Sequence, residues 1–326
     1  MVRTARSLRS ARKDRILTAF LSSVLMLALL LSLAGCAGDE QDVQQPESGG
    51  QQTQGTDAFS VTVTDDSGRE VTIESEPQRI VSLAPANTEI VAAVGLLDRL
   101  VGVSSADDYP PEVSGIAVVG DFSGPNLEAV AAAKPELVLA TGGIQADVVG
   151  QLEDLGAAVV VVDPADLESL FASIEMVGAV TGSRNAATDV VSSMRDELDE
   201  IAGVVANATP VPVFLEIAQD PLFTAGPGTL LHDLITTAGG ANVVTEEGYV
   251  AYSVEQLVAE DPVVYLATRG SMSNPEDLQS RTGYSGITAV RTGRVYVLDD
   301  NLVSRPGPRV VDGVRQIAEA LHPDLF

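Results

Sequence analysis

The sequence contains almost no cysteine or histidine and no tryptophan. Its 326 residues include one cysteine, Cys36, so an intramolecular disulfide is excluded. The two histidines, His232 and His322, lie far apart in segments of helical pattern, which favours a structural or surface role for each. P-loop, Gly-x-Ser-x-Gly and clustered metal-ligand motifs are also missing. These absences favour a binding protein over an enzyme, and we predict no catalytic residue, metal or cofactor.

Positive charge is scarce as well. The chain has 19 basic and 46 acidic residues, a formal net charge of −27, and its only lysines are Lys13 and Lys134. A chain this acidic is repelled by polyanions, so nucleic acid is excluded as a partner. The apolar residues make up 45% of the sequence, and most are alanine, valine and leucine. That composition suits a fold of alternating strands and helices.

The N-terminal segment has the pattern of an export signal. A basic stretch is followed by an apolar run over 16–33 and then by Ala34, Gly35 and Cys36. We predict a signal peptide over 1–35 and a polar, disordered tether over 36–57. A membrane-spanning anchor is the alternative, although roughly 18 apolar residues is short for a span. Both alternatives place the rest of the chain outside the cytoplasm.

The segment 181–207 is predicted to be one long helix between two halves of similar size. Apolar residues recur there at steps of three and four, and charged residues occupy the opposite face. The stripe consists of Val190, Met194, Leu198, Ile201 and Val205. Strand and helix patterns alternate before and after it, which predicts an α/β lobe over 58–180 and another over 208–326. An ordinary helix on a single domain is the alternative.

Two local features refine this prediction. The alternating residues 59–73, broken at 65–68, indicate a β-hairpin. Asn87 is expected to cap a helix that begins at Thr88.

The two halves share an internal repeat. Asn126 and Ser253 each precede a short apolar helix that ends at a proline nine residues later. Glu128 and Glu255 occupy equivalent positions in the first turn. They complement the helix dipole, but matching carboxylates on twin lobes are also suited to binding matching basic groups. An enzyme that uses them as acid and base would need them within about 10 Å of each other.

Several motifs resemble a known family. They are Arg79–Glu89 (RIVSLAPANTE), 108–111 (DYPP), 126–128 (NLE) with 134–138 (KPELV), and 305–309 (RPGPR). From residue 79 onwards the chain is similar to the helical-backbone (class III) substrate-binding lipoproteins of ABC importers, and within them to the vitamin B12-binding proteins. The resemblance implies two α/β lobes with a ligand cleft between them, joined by one rigid helix. It also implies a monomer whose Glu128 and Glu255 dock on arginines of a permease dimer with its ATPase subunits.

The same resemblance assigns a ligand and its contacts. The residues 33–36 are similar to a lipobox, which implies that Cys36 is lipidated and anchors the protein to the outer face of the membrane. The ligand implied is a corrinoid. The positions assigned to it are Ala106, Tyr109, Phe122, Thr141, Phe223, Tyr249, Asn301 and Arg305. Three of them depart from the vitamin B12 binders, with Ala106 in place of a tyrosine, Thr141 of a tryptophan and Asn301 of an aspartate.

The sequence is also compatible with other functions. A ferric-siderophore receptor is the alternative within the same class, and anionic siderophores need several basic groups in the cleft. The candidates in the second half are Arg269, Arg281, Arg305 and Arg309, in a negative field that favours a neutral or cationic corrinoid. An extracellular hydrolase and a structural adhesin without a cleft are more remote alternatives.

Overall fold

The computed structural model describes residues 59–268 and 272–326. The predicted signal peptide, Cys36 and the tether up to residue 57 lie outside the described residues. Within the described part of the chain, no helix is both long and apolar enough to cross a membrane.

The first half is built around a parallel sheet of four strands. Its strands are β1 (Val61–Thr64), β2 (Glu70–Ile73), β3 (Ile80–Ser82), β4 (Leu100–Gly102), β5 (Gly120–Asp121), β6 (Gly124–Pro125), β7 (Leu137–Ala140) and β8 (Ala158–Val161). Its helices are α1 (Pro85–Ala93), α2 (Leu127–Ala133), α3 (Val149–Glu153) and α4 (Leu167–Val180). The sheet has the order β4-β3-β7-β8. β1 and β2 pair antiparallel, which confirms the predicted hairpin.

The second half repeats this plan and adds a small antiparallel sheet. Its strands are β9 (Val211–Glu216), β10 (Ala218–Gln219), β11 (Leu222–Ala225), β12 (Gly240–Asn242), β13 (Tyr249–Ala251), β14 (Val264–Thr268) and β15 (Val295–Leu298). Its helices are α6 (Leu230–Thr237), α7 (Val254–Glu260), α8 (Thr288–Thr292), α9 (Asp300–Val303) and α10 (Val310–Leu321). The parallel sheet has the order β12-β9-β14-β15, and the antiparallel one the order β10-β11-β13. The predicted α/β fold with two lobes is thus confirmed.

The long helix is α5 (Arg184–Val205). Its buried side chains are Ala187, Val191, Met194, Leu198, Ile201 and Val205. The helix contacts α1 and α4 of the first lobe and α6 and α10 of the second. One hydrophobic cluster runs through both lobes and includes this face. The shared core therefore fixes the lobes to one backbone helix.

The start of α1 corrects one prediction. The helix begins at Pro85, and Asn87 lies inside it rather than at its N-cap. Proline is favoured at the first helical position because its missing N–H would have no partner there. Asn87 is buried, and its Nδ2 donates to the Ala140 carbonyl at 3.1 Å. Its role is to tie α1 to the end of β7.

Two glycine substitutions are expected to have opposite effects. A Cβ at Gly226 would lie 1.8 Å from the backbone oxygen of Glu246, whereas a Cβ at Gly203 meets nothing within 4 Å. Gly226→Ala is expected to destabilise the fold by about 1–3 kcal/mol through overpacking. Gly203→Ala is expected to stabilise it by up to about 1 kcal/mol, because alanine loses less backbone entropy in a helix. Urea unfolding measures both, and equal shifts would contradict the prediction.

Candidate ligand cleft

A cavity of ≈ 640 Å³ lies between the two lobes. The first lobe contributes the residues that follow β3, β7 and β8, because the carboxyl ends of parallel strands meet at one edge of a sheet. The second lobe contributes residues from α6, β13 and α9. The lining residues are Ala84, Pro85, Ala86, Asn87, Ala106, Phe122, Thr141, Val162, Asp163, Pro164, Ala165, Leu230, Tyr249, Asp300, Asn301, Ser304, Arg305 and Pro306.

The cavity brings together most of the positions predicted to bind ligand. Six of them line it: Ala106, Phe122, Thr141, Tyr249, Asn301 and Arg305. Tyr109 lies beside it, with the Arg309 guanidinium 4.0 Å from its ring centroid. Phe223 lines a neighbouring cavity of ≈ 620 Å³, together with residues 218–221 and 272–274. Contact between ligand and these residues stays a prediction.

The register of β11 and β13 relates the two cavities. Phe223 is opposite Ala251, and Ala225 is opposite Tyr249. Side chains opposite each other in an antiparallel pair share a face, and so do residues two apart on one strand. Phe223 and Tyr249 therefore lie on the same face of the small sheet. A large ligand against Tyr249 can extend along that face towards Phe223.

Gln145 holds the first-lobe wall in place. It is fully buried, and its Nε2 donates to the carbonyls of Leu83 at 2.9 Å and Phe122 at 2.8 Å. Its Oε1 accepts from the Thr141 amide at 3.0 Å. The side chain thus joins three loops that line the cavity. Sequence reasoning missed this residue, because a lone glutamine beside a helical pattern gives no sign of its partners.

Gln145→Leu is expected to lower both stability and ligand affinity. Leucine removes three hydrogen bonds and leaves buried backbone groups unpaired, at about 1–3 kcal/mol for each such group. The loop that carries Phe122 would then lose its anchor. Gln151→Leu is the matched control, since Gln151 is exposed. Chemical unfolding and calorimetric titration of both variants check this, and similar results for the two would contradict it.

Four charged residues join the lobes at the cleft, and we call them the clasp: Glu89, Asp108, Arg305 and Arg309. Arg309 donates to Glu89 through Nε at 2.9 Å and through Nη2 at 2.6 Å. Arg305 donates through Nη1 to Asp108 at 2.5 Å and to Glu89 at 3.3 Å. The Glu89 side chain is only 2% exposed. Hydrogen bonding to Arg305 lowers the pKa of the Asp108 carboxyl, and the bond to Glu89 raises the pKa of Arg309.

Sequence reasoning also missed the role of Glu89. A buried carboxylate needs a cation as its partner. A glutamate inside an apolar helix was therefore the signal that could have identified it. Its partner Arg309 lies 220 residues further along the chain.

The Asp163 carboxylate, which is not part of the clasp, is held in place on the cavity wall. Thr141 donates from Oγ1 to Asp163 Oδ1 at 2.9 Å, and the Asp163 amide donates to Asp66 Oδ2 at 2.7 Å. A Cβ at Gly142 would lie 2.1 Å from Asp163 Oδ2. The Asp163 carboxylate can therefore occupy this position only because Gly142 has no side chain. Partial burial, and then the charge of Asp163, raise the pKa of the Tyr249 phenol.

The internal repeat is confirmed down to the backbone. Asn126 accepts a hydrogen bond from the Ala129 amide, and Ser253 accepts one from the Gln256 amide, each at 3.1 Å. Both helices end in a left-handed residue before proline, at Lys134 (φ 49°) and Asp261 (φ 44°). In the described part of the chain these are the only non-glycine residues with positive φ.

The repeat places the two predicted docking residues alike. Glu128 and Glu255 are the second residues of α2 and α7. Both are exposed, and neither lines the cavity. Their docking role stays a prediction.

Two α/β lobes, a shared backbone helix and a cavity between the lobes define a small-molecule-binding protein. Comparisons with known proteins agree. The periplasmic binding protein model matches residues 80–302. The chain is similar to the ABC transporter substrate-binding lipoprotein YvrC of Bacillus subtilis, with 36% identity over 94% of this chain and 97% of that protein. It is 32% identical to the vitamin B12-binding protein of Salmonella typhimurium, over 74% of this chain and 90% of that one.

A solved structure is similar as well. The periplasmic heme-binding protein of Pseudomonas aeruginosa has a TM-score of 0.69 and 31% identity, over 76% of this chain and 93% of that one. The chain belongs to the periplasmic binding protein family. It is the extracytoplasmic substrate-binding protein of an ABC transporter, with a small-molecule ligand and a permease partner.

Proposed function

We propose that the protein captures a corrinoid and delivers it to the permease of an ABC importer. The observation that carries this proposal is a pair of half-exposed aromatic side chains on opposite lobes of one cavity. Phe122 is 40% exposed and Tyr249 is 53% exposed. Aromatic side chains in a cleft bury a large flat ligand at low entropic cost, and their exposure marks a binding surface.

Small residues leave room for such a ligand. Alanine occupies four lining positions. The resulting space is within the range of ordinary ligand pockets, and it opens along the sheet face that carries Phe223. The similarity to a vitamin B12-binding protein supports the same ligand class.

Haem and ferric siderophores are less well supported. None of the described lining residues is a histidine. Anionic siderophores need unpaired cations, whereas Arg305 and Arg309 are paired within the clasp.

Delivery completes the proposal. Cys36, lipidated after removal of residues 1–35, anchors the monomer to the membrane, and residues 36–57 act as a tether for lobes 58–180 and 208–326 with the helix 181–207 between them. Glu128 and Glu255 each bind arginines of one permease subunit, and their charges steer the encounter as well as hold the complex.

Calorimetric titration of the protein, extracted from cells in detergent, tests the ligand. Cyanocobalamin and cobinamide are compared with haemin and a panel of ferric siderophores. We expect one-to-one corrinoid binding that Phe122→Ala and Tyr249→Ala each weaken by about 5- to 150-fold, the effect of losing on the order of 1–3 kcal/mol of apolar contact. Phe326→Ala is the control, because this exposed aromatic lies outside the cavity. Siderophore or haemin binding without corrinoid binding would refute the corrinoid assignment.

A further inference from the structure

The arginines near the cleft already have counter-charges. Arg305 and Arg309 belong to the clasp, where they face two carboxylates. Arg281 is paired with the fully buried Glu216 at 2.6 Å and with Asp277 at 2.6 Å. Arg269, the remaining candidate from the sequence, lies outside the described residues. The clasp therefore adds no net charge to the cavity, because its two carboxylates balance the two arginines beside the cavity.

Two further carboxylates line the same cavity. Asp163 accepts from the Thr141 hydroxyl at 2.9 Å, and Asp300 accepts from the Ser304 hydroxyl at 2.6 Å. Both partners are neutral. Across residues 59–268 and 272–326, neither aspartate is joined to a basic group by an ion pair. Among the described residues, the net charge of the cavity wall is therefore negative.

We infer that this cleft selects its ligand by charge, accepting a neutral or cationic ligand and rejecting an anionic one of the same shape. Asp163 and Asp300 supply the repulsion. Glu89 is the specificity-determining residue, because its one carboxylate accepts hydrogen bonds from both Arg305 and Arg309. Neither arginine is then available to pair with an anionic ligand. The inference rests on the proposed binding function. It adds selection by net charge, which does not depend on the ring structure of the ligand.

A matched corrinoid series tests the inference. The neutral probe is cyanocobalamin. The anionic probe is its monocarboxylate, in which one side-chain amide is hydrolysed, and the cationic probe is the same carboxylate coupled to a diamine. We expect affinity to fall from cationic to neutral to anionic by roughly tenfold a step, about 1.4 kcal/mol, which is reasonable for partly screened charges. High salt should compress the series.

Variants assign the effect to residues. Asp163→Asn and Asp300→Asn should each flatten the series, because asparagine keeps the shape and loses the charge. Glu89→Gln should raise the affinity for the monocarboxylate relative to cyanocobalamin. Asp108→Asn tests the same point at an accessible position, since the Asp108 side chain is 54% exposed. Asp189→Asn, an exposed position on α5, is the control. Equal affinities across the series at low salt, or a series unchanged in these variants, would overturn the inference.

A second series separates this inference from the corrinoid proposal. Ferrioxamine B, ferrichrome and ferric enterobactin are cationic, neutral and anionic iron complexes. If no corrinoid binds but the siderophores bind in that order, the corrinoid assignment fails and charge selection stands. If corrinoids bind without regard to charge, the assignment stands and charge selection fails. If neither series binds, the corrinoid assignment and charge selection both fail.

Discussion

Reversing both docking glutamates, as Glu128→Arg with Glu255→Arg, is expected to abolish ligand uptake and to leave ligand binding unchanged. Both side chains are exposed on equivalent helices, one in each lobe, and neither lines the cavity. If the two glutamates bind arginines of the permease, each reversal places an arginine against an arginine, and this repulsion costs several kcal/mol. Uptake below saturation should then fall by roughly 100-fold or more. The measurement is uptake of labelled cyanocobalamin by cells whose own gene encodes the variant.

The control for this experiment changes the net charge by the same amount elsewhere. Asp189→Arg with Glu200→Arg alters two exposed acids on α5, the helix shared by the lobes. Uptake with the control should stay within about twofold of the unaltered protein, since surface substitutions away from an interface have small effects. Equal loss in both double variants would show that general charge matters and specific docking does not. Full uptake in the docking variant would refute the role of both glutamates.

Arg281→Met is expected to cause the largest loss of stability in the second lobe. The Glu216 side chain is fully buried and accepts from Arg281 Nη1 at 2.6 Å, from the Tyr265 hydroxyl and from the Ser273 hydroxyl. Burial alone would lower the pKa of Arg281, but hydrogen bonds to Glu216 and Asp277 outweigh it and raise the pKa. Removing one partner of a buried ion pair costs about 3–5 kcal/mol, because the remaining charge is left uncompensated.

Calorimetric melting measures this effect, with an expected fall in Tm of roughly 10 °C for a chain of this size. Arg291→Met is the control, because Arg291 is exposed and bonds the Gly286 carbonyl at 2.7 Å. Adding Glu216→Gln to Arg281→Met should recover part of the loss, since it removes the unpaired charge. If the double variant melts lower than Arg281→Met, the unpaired charge is not the cause.

The features that the sequence predicted well are those with local causes. The face of α5 follows from a periodicity of three and four residues, and the repeat around Glu128 and Glu255 follows from a cap residue and a proline at fixed spacing. A prediction failed where two local rules competed. Asn87 is a good cap residue, but the helix starts at Pro85, three residues before the predicted start at Thr88, and Asn87 lies buried inside it.

The clasp and the Gln145 network were not predictable in this way. Glu89 and Arg309 are 220 residues apart, and nothing local to either residue identifies the other. Gln145 bonds loops that precede it by 62 and 23 residues. Single-sequence patterns report which face of an element is buried, but the pairing of buried polar groups depends on how distant elements pack.

The shared core on α5 has a consequence for how the chain matures. During export the residues reach the far side of the membrane in sequence order, so α5 arrives well before α10 (Val310–Leu321). Until α10 arrives, part of the apolar face that includes Met194, Leu198 and Ile201 has no complete cover, because α10 packs against that helix. The hydrophobic cluster shared by both lobes stays incomplete until then. The exported chain therefore depends on its last helix, and a truncation before residue 310 would leave an adhesive, protease-sensitive intermediate rather than a smaller working protein.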